Sequence, residues 1–143
     1  MRTEQLILEN LIFNDVYASL VGVFLKTEYF RAHPEKVIFS EIQNHIQEYN
    51  KPPTVSALEN KITNRDDLNE ATFKNCMEVL KTYKEKTDDH EWLVNETEKW
   101  AKDQAVYNGI VDSIAILEGK DTKKPKDAIP DMLTDALLSL IHI

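Results

Sequence analysis

Residues 90 to 118 read HEWLVNETEKWAKDQAVYNGIVDSIAILE. No proline interrupts this stretch, and its one glycine is Gly109. Leu93, Thr97, Trp100, Gln104, Tyr107, Val111 and Ile114 recur at alternating steps of four and three. That spacing predicts one long helix, about 43 Å at 1.5 Å per residue. Its heptad-like stripe suits packing along a partner helix. Downstream, Gly119 fits a left-handed cap and Lys120 to Asp127 a basic turn. Ala128-Ile129-Pro130 then opens a second helix with Met132, Leu133, Ala136 and Leu137. Residues 85–137 thus read as a helical hairpin: long helix about 90–118, turn 119–127, start of a second helix 128–137.

About ten residues cannot cover a partner of 29, so the hairpin reads as truncated in its second helix. The tail Leu138-Ser139-Leu140-Ile141-His142-Ile143 breaks the polar–apolar pattern. The bases CTG TCT CTT ATA CAC ATC, which begin a common transposon-derived sequencing adaptor, encode these six residues in order. Residues 138–143 are therefore expected to derive from the adaptor, with the natural chain continuing beyond Leu137.

Upstream, residues 1–84 read as a compact five-helix body. Thr3 is placed to cap a first helix carrying Leu6, Ile7, Leu8, Leu11 and Ile12. Asn14-Asp15 caps a second, with Val16, Tyr17, Leu20, Val21, Phe24 and Leu25 at three-to-four spacing. Pro34 suits the first turn of a third, with His33 as its cap. That helix carries Ile38, Ile42, Ile46 and Tyr49 on one stripe beside Phe39, and Lys51-Pro52-Pro53 stops it. Thr54 or Ser56 caps a fourth with Leu58 and Ile62; Ser56 and Glu59 match a capping box. After a polar loop from Thr63 to Asn69, a fifth carries Phe73, Cys76, Met77, Leu80 and Tyr83. Thr87-Asp88-Asp89 caps the long helix with favourable acidic residues. Phe39, Ile42, Leu58 and Leu80 are the expected core. The fold class is all-α.

Composition narrows the function. The 143 residues carry 17 Lys and Arg against 25 Asp and Glu, a net charge of −8. A surface built to grip DNA phosphates needs the opposite balance. One cysteine excludes an internal disulfide and fits a reducing cytosol. No apolar run reaches the roughly 20 residues of a membrane span. The Gly-Lys pair at 119–120 precedes Asp121, and Ile114 stands where a phosphate-binding loop begins with glycine. A helix cap explains it better.

His33, His45, His90 and His142 form no metal-ligand spacing. His45 reads as a satisfied core-edge residue, and Cys76, on an apolar stripe, as an inert buried thiol. No carboxylate pair has a recognisable acid–base scaffold. Trp92, Trp100 and Tyr107 invite comparison with base-stacking platforms. Glu91, Glu96, Glu98 and Asp103 among them repel phosphate, so a helix–helix seam is the better reading. The expected interface is Leu93, Trp100, Tyr107, Val111 and Ile114, with no catalytic, cofactor or metal residue.

Some residues carry a more specific resemblance. Glu28-Tyr29-Phe30, a following His33, Ile38-Phe39, Ile42 and the run PPTVSALE at 52–59 stand in a particular order. Glu48-Tyr49 before the prolines, Trp92-Leu93-Val94, Glu96-Thr97-Glu98-Lys99 and Ala128-Ile129-Pro130-Asp131 extend it. From about residue 5 to 137 the chain resembles the N-terminal domain of DnaB-family replicative DNA helicases, most of all those of T-even-type phages. In the bacterial pattern the histidine stands closer to the Ile-Phe pair; here Pro34, Glu35, Lys36 and Val37 intervene.

The resemblance implies a parent that is an ATP-dependent helicase, with ATP and Mg bound in a domain missing here. It implies that this portion serves ring self-association and contacts to primase and a helicase loader, as part of a primosome. DNA would be contacted mainly by the missing domain. The expected location is the cytoplasm of an infected bacterial host. Two readings from other classes compete: a free-standing helical adaptor or regulator, and a small helical enzyme, which the missing motifs disfavour. A phosphate-binding loop encoded downstream separates the first from the helicase.

Overall fold

The computed structural model describes residues 2–85, 89–118, 130, 131, 133–135 and 138. Its elements are α1 (Thr3–Phe13), α2 (Asp15–Val21), a 3-10 turn (Thr27–Tyr29), α3 (His33–Tyr49), α4 (Val55–Thr63), α5 (Glu70–Thr82) and α6 (His90–Leu117). The fold is all-α, with no strand among the described residues. Contacts gather into two compact units, Met1–Thr97 and Glu98–Ile143. The first holds α1 to α5 and the opening of α6. The expected turn 119–127, its cap Gly119 and tail residues 139–143 lie outside the described residues, as does half of the expected second helix (128, 129, 132, 136 and 137).

In the first unit α3 is the hub. It packs on α1, α4, α5 and the 3-10 turn, while α1 also meets α2 and α4 meets α5. Its Ile38, Phe39 and Ile42 are buried with Ile7, Leu8 and Leu11 of α1, Leu58 and Ile62 of α4, and Cys76 and Leu80 of α5. The Phe30 and Phe39 rings meet at 4.9 Å in a tilted pair, a geometry that avoids facing two negative π-clouds.

Helix boundaries follow from local chemistry. Asn14 caps α2, its Oδ1 accepting from the Tyr17 N–H at 3.0 Å. Asn69 caps α5 through the Thr72 N–H at 2.8 Å. Asp89 Oδ1 accepts from the Trp92 N–H at the start of α6; Thr87 and Asp88 lie outside the described residues. At the end of α3, Asn50 turns into the left-handed region, φ 60°, which Asn tolerates better than most residues. Pro52 and Pro53 then prevent the helix from resuming.

Several expectations are corrected. Thr3 does not cap α1; Arg2 holds that place in an extended conformation, with no side-chain cap. His33 does not cap α3 but enters it, and Ala32 stands at the cap. The first two helical positions donate no intrahelical bond, so Pro34 fits either register. Thr54, not Ser56, caps α4, its Oγ1 accepting from the Ala57 N–H at 3.1 Å. The α3 stripe runs out before its end, since Ile46 is half-buried and Tyr49 is exposed. In α2 the ladder Val16–Leu20 faces solvent, while Tyr17, Val21 and, beyond the helix, Leu25 are buried. His45 is not satisfied: its ring leans on Tyr49 at 4.6 Å, and Nδ1 has no hydrogen-bond partner among the described residues. Burial and the nearby Lys61 ammonium lower its pKa and favour the neutral ring.

Within the first unit, one buried polar chain ties the opening of α6 to α2. The Thr97 hydroxyl donates to the Leu93 carbonyl at 2.8 Å. Its single proton is thereby used, so Tyr17 Oη, 2.6 Å from Thr97 Oγ1, is the donor between them. Burial raises the Tyr17 pKa far above the ordinary phenol value, keeping the donor protonated. Thr97→Val should orphan that hydroxyl and cost about 1–3 kcal/mol, whereas Tyr17→Phe should cost only about 0.5–1.5. Urea unfolding of the two variants checks the order; equal or reversed losses would refute the assigned direction.

Candidate interaction face of the long helix

Along α6, burial changes sides. Leu93, Thr97, Trp100 and Gln104 are buried. Past Gln104 the same heptad stripe surfaces: Tyr107, Val111 and Ile114 are 47%, 42% and 47% exposed. Ile110 and Leu117 join them at 47% and 59%. At about 100° per residue, these five side chains share a face about 120° wide. Ala105 and Ile116, on the opposite side, and Ser113, on the flank beyond Leu117, are buried.

The expected interface residues therefore fall into two groups. Leu93 and Trp100 are covered in this chain. Tyr107, Val111 and Ile114 are uncovered. Ile110 and Leu117 escape the alternating four-and-three pattern because each lies three residues beyond a stripe residue, at the edge of the face. Runs at i, i+3, i+4 and i+7 were the available signal: 107, 110, 111 and 114 fit it.

The face is apolar between charged ends. Asp103 and Glu118, both exposed, project from the same side of the helix and bracket it. About 22 Å of helix separates them at 1.5 Å per residue. A contiguous apolar surface with a charged rim is the usual form of an association site. The Ser113 hydroxyl donates to the Gly109 carbonyl at 2.7 Å, satisfying itself within the helix and leaving the apolar face alone.

Other candidate chemistry is placed as follows. Cys76 is buried, burial pushes its thiol pKa up, and its Sγ–H points to the Pro34 carbonyl at 3.9 Å. Among the described residues, no group of three or more His, Cys, Asp or Glu is placed to hold a metal ion. No helix among them is long and apolar enough to cross a membrane. Trp92 is 48% exposed near the start of α6.

No family model matches the chain. The chain is similar to the DnaB-like replicative helicase of Enterobacteria phage T4, at 33% identity over 93% of its length. It spans only 30% of that protein. The similarity read from the ordered motifs thus holds across nearly the whole chain.

Proposed function

We propose, starting from a helicase-related chain, that this is the N-terminal assembly and interaction domain of a phage replicative DNA helicase. The observation that carries this reading is the uncovered apolar face of α6, on a chain whose relative is a replicative helicase. In this reading Tyr107, Ile110, Val111, Ile114 and Leu117 meet a second subunit during ring assembly. A primase and a helicase loader are the further partners. The protein works in the cytoplasm of the infected host.

ATP and Mg belong elsewhere in such a protein. The sequence contains no glycine-rich loop with a following Lys and Ser or Thr, the loop that cradles a nucleoside triphosphate, and this supports placing that site in the remainder of the parent. Strand separation is likewise assigned to the remainder of the parent.

Sedimentation of the chain over a wide concentration range tests the assembly role. Concentration-dependent self-association with retained helicity is expected. A strictly monomeric chain at all concentrations would overturn it. ATP turnover abolished by a substitution within residues 1–137 would overturn the division of labour.

A further inference from the structure

Between the start of α1, the start of α3 and the end of α5 lies a cleft of about 450 Å³, a volume typical of small-ligand sites. Glu35 and Tyr83 line it, and both are more than nine-tenths buried. Gln5, whose side chain carries an amide, and the exposed Asn75 and Glu78 also line it. The Arg2 guanidinium reaches in and hydrogen-bonds Glu35 Oε1.

Two observations point to a further occupant. The buried Tyr83 hydroxyl has no hydrogen-bond partner among the described residues, although Glu35, Glu9 and Arg2 act on it electrostatically. Buried polar groups are normally satisfied, so an orphan beside a cleft calls for an explanation. Burial, with the nearby Glu4 carboxylate, leaves the Glu35 pKa raised although Arg2 lowers it. One guanidinium from a largely exposed side chain leaves that carboxylate short of compensating charge.

We propose that this cleft receives an arginine side chain from a partner protein, and that Arg2 holds the Glu35 carboxylate until the partner arrives. The chemistry fits a guanidinium. Its fork of five donors can give two bonds to Glu35, one to the Tyr83 oxygen and others to the amide oxygens of Gln5 and Asn75. A lysine ammonium has three donors and no fork. Free arginine brings an α-ammonium and an α-carboxylate that must lose water at the cleft mouth, whereas an arginine within a polypeptide brings neutral amides there. Arg2 acts as a tethered competitor and lowers the apparent affinity for the incoming group.

N-acetyl-arginine amide titrated into the full chain, followed by amide chemical shifts of Val79 and Thr82, tests the assignment. Arg2→Ala should bind the probe about tenfold more tightly than wild type, and Arg2→Gln should do the same if alanine perturbs the N-terminus. Adding Tyr83→Phe should reverse most of that gain without loss of fold, since the hydroxyl has no partner to lose. The citrulline analogue, neutral and isosteric, should not bind. Equal binding to wild type and both Arg2 variants, or equal binding of the citrulline analogue, would overturn the proposal. Free L-arginine binding as tightly as the capped probe would overturn the protein partner.

Discussion

Replacing Tyr107 and Val111 together with Glu should abolish self-association while leaving the chain folded. Both positions are uncovered in the single chain, so the charges stay hydrated until a partner approaches. In a symmetric pairing each chain contributes the same surface, and two carboxylates per chain must lose water together. The desolvation of each ion is worth several kcal/mol in a buried setting. A fall in association constant of about a thousandfold or more follows. Light scattering gives the mass, and circular dichroism gives the helix content. Equal association of the double variant and wild type, with the helix intact, would place the seam on another face.

Ile42→Ala should cost about 2–5 kcal/mol, the transfer free energy of the lost carbons plus that of the cavity. Ile42 is fully buried on α3, the helix that meets α1, α4 and α5. Domains of this kind are stable by only about 5–15 kcal/mol, so one truncation removes a large share. Ile42 and Phe39 also border a groove of about 250 Å³ that reaches Leu11 and Val23. The new cavity can open into that groove, and partial collapse there places the loss toward the lower part of the range. Urea unfolding measures it. A loss below about 0.5 kcal/mol, the surface range, would contradict the burial.

The all-α class and the helix order could be read because each helix has its own start and stop chemistry. Asn14, Pro34, Pro52-Pro53 and Asn69 act within a few residues of their own positions. Phase was harder. In the second helix, Val16, Leu20 and Phe24 repeat at four, and so do Tyr17, Val21 and Leu25. Only the body decides between the two ladders, and it buries the second, where Tyr17 meets Thr97. The candidate face posed the same difficulty. One heptad stripe from Leu93 to Ile114 is continuous in sequence, but its two halves meet different surroundings. Neither the change of side near Gln104 nor the orphan hydroxyl of Tyr83 has a local sequence signature, because both depend on residues distant in the chain.

The change of side along α6 has a genetic corollary within the proposed ring. A substitution that unfolds the covered half, at Leu93 or Trp100, yields a subunit removed before it assembles. In a host making both forms, the normal protein then builds its rings unhindered, and the defect is recessive. A conservative substitution in the uncovered half, such as Val111→Ala, yields a folded subunit whose other surfaces still engage. Such subunits enter mixed rings and weaken them, so mild lesions there should behave as dominant. The crossover between the two behaviours should fall near Gln104.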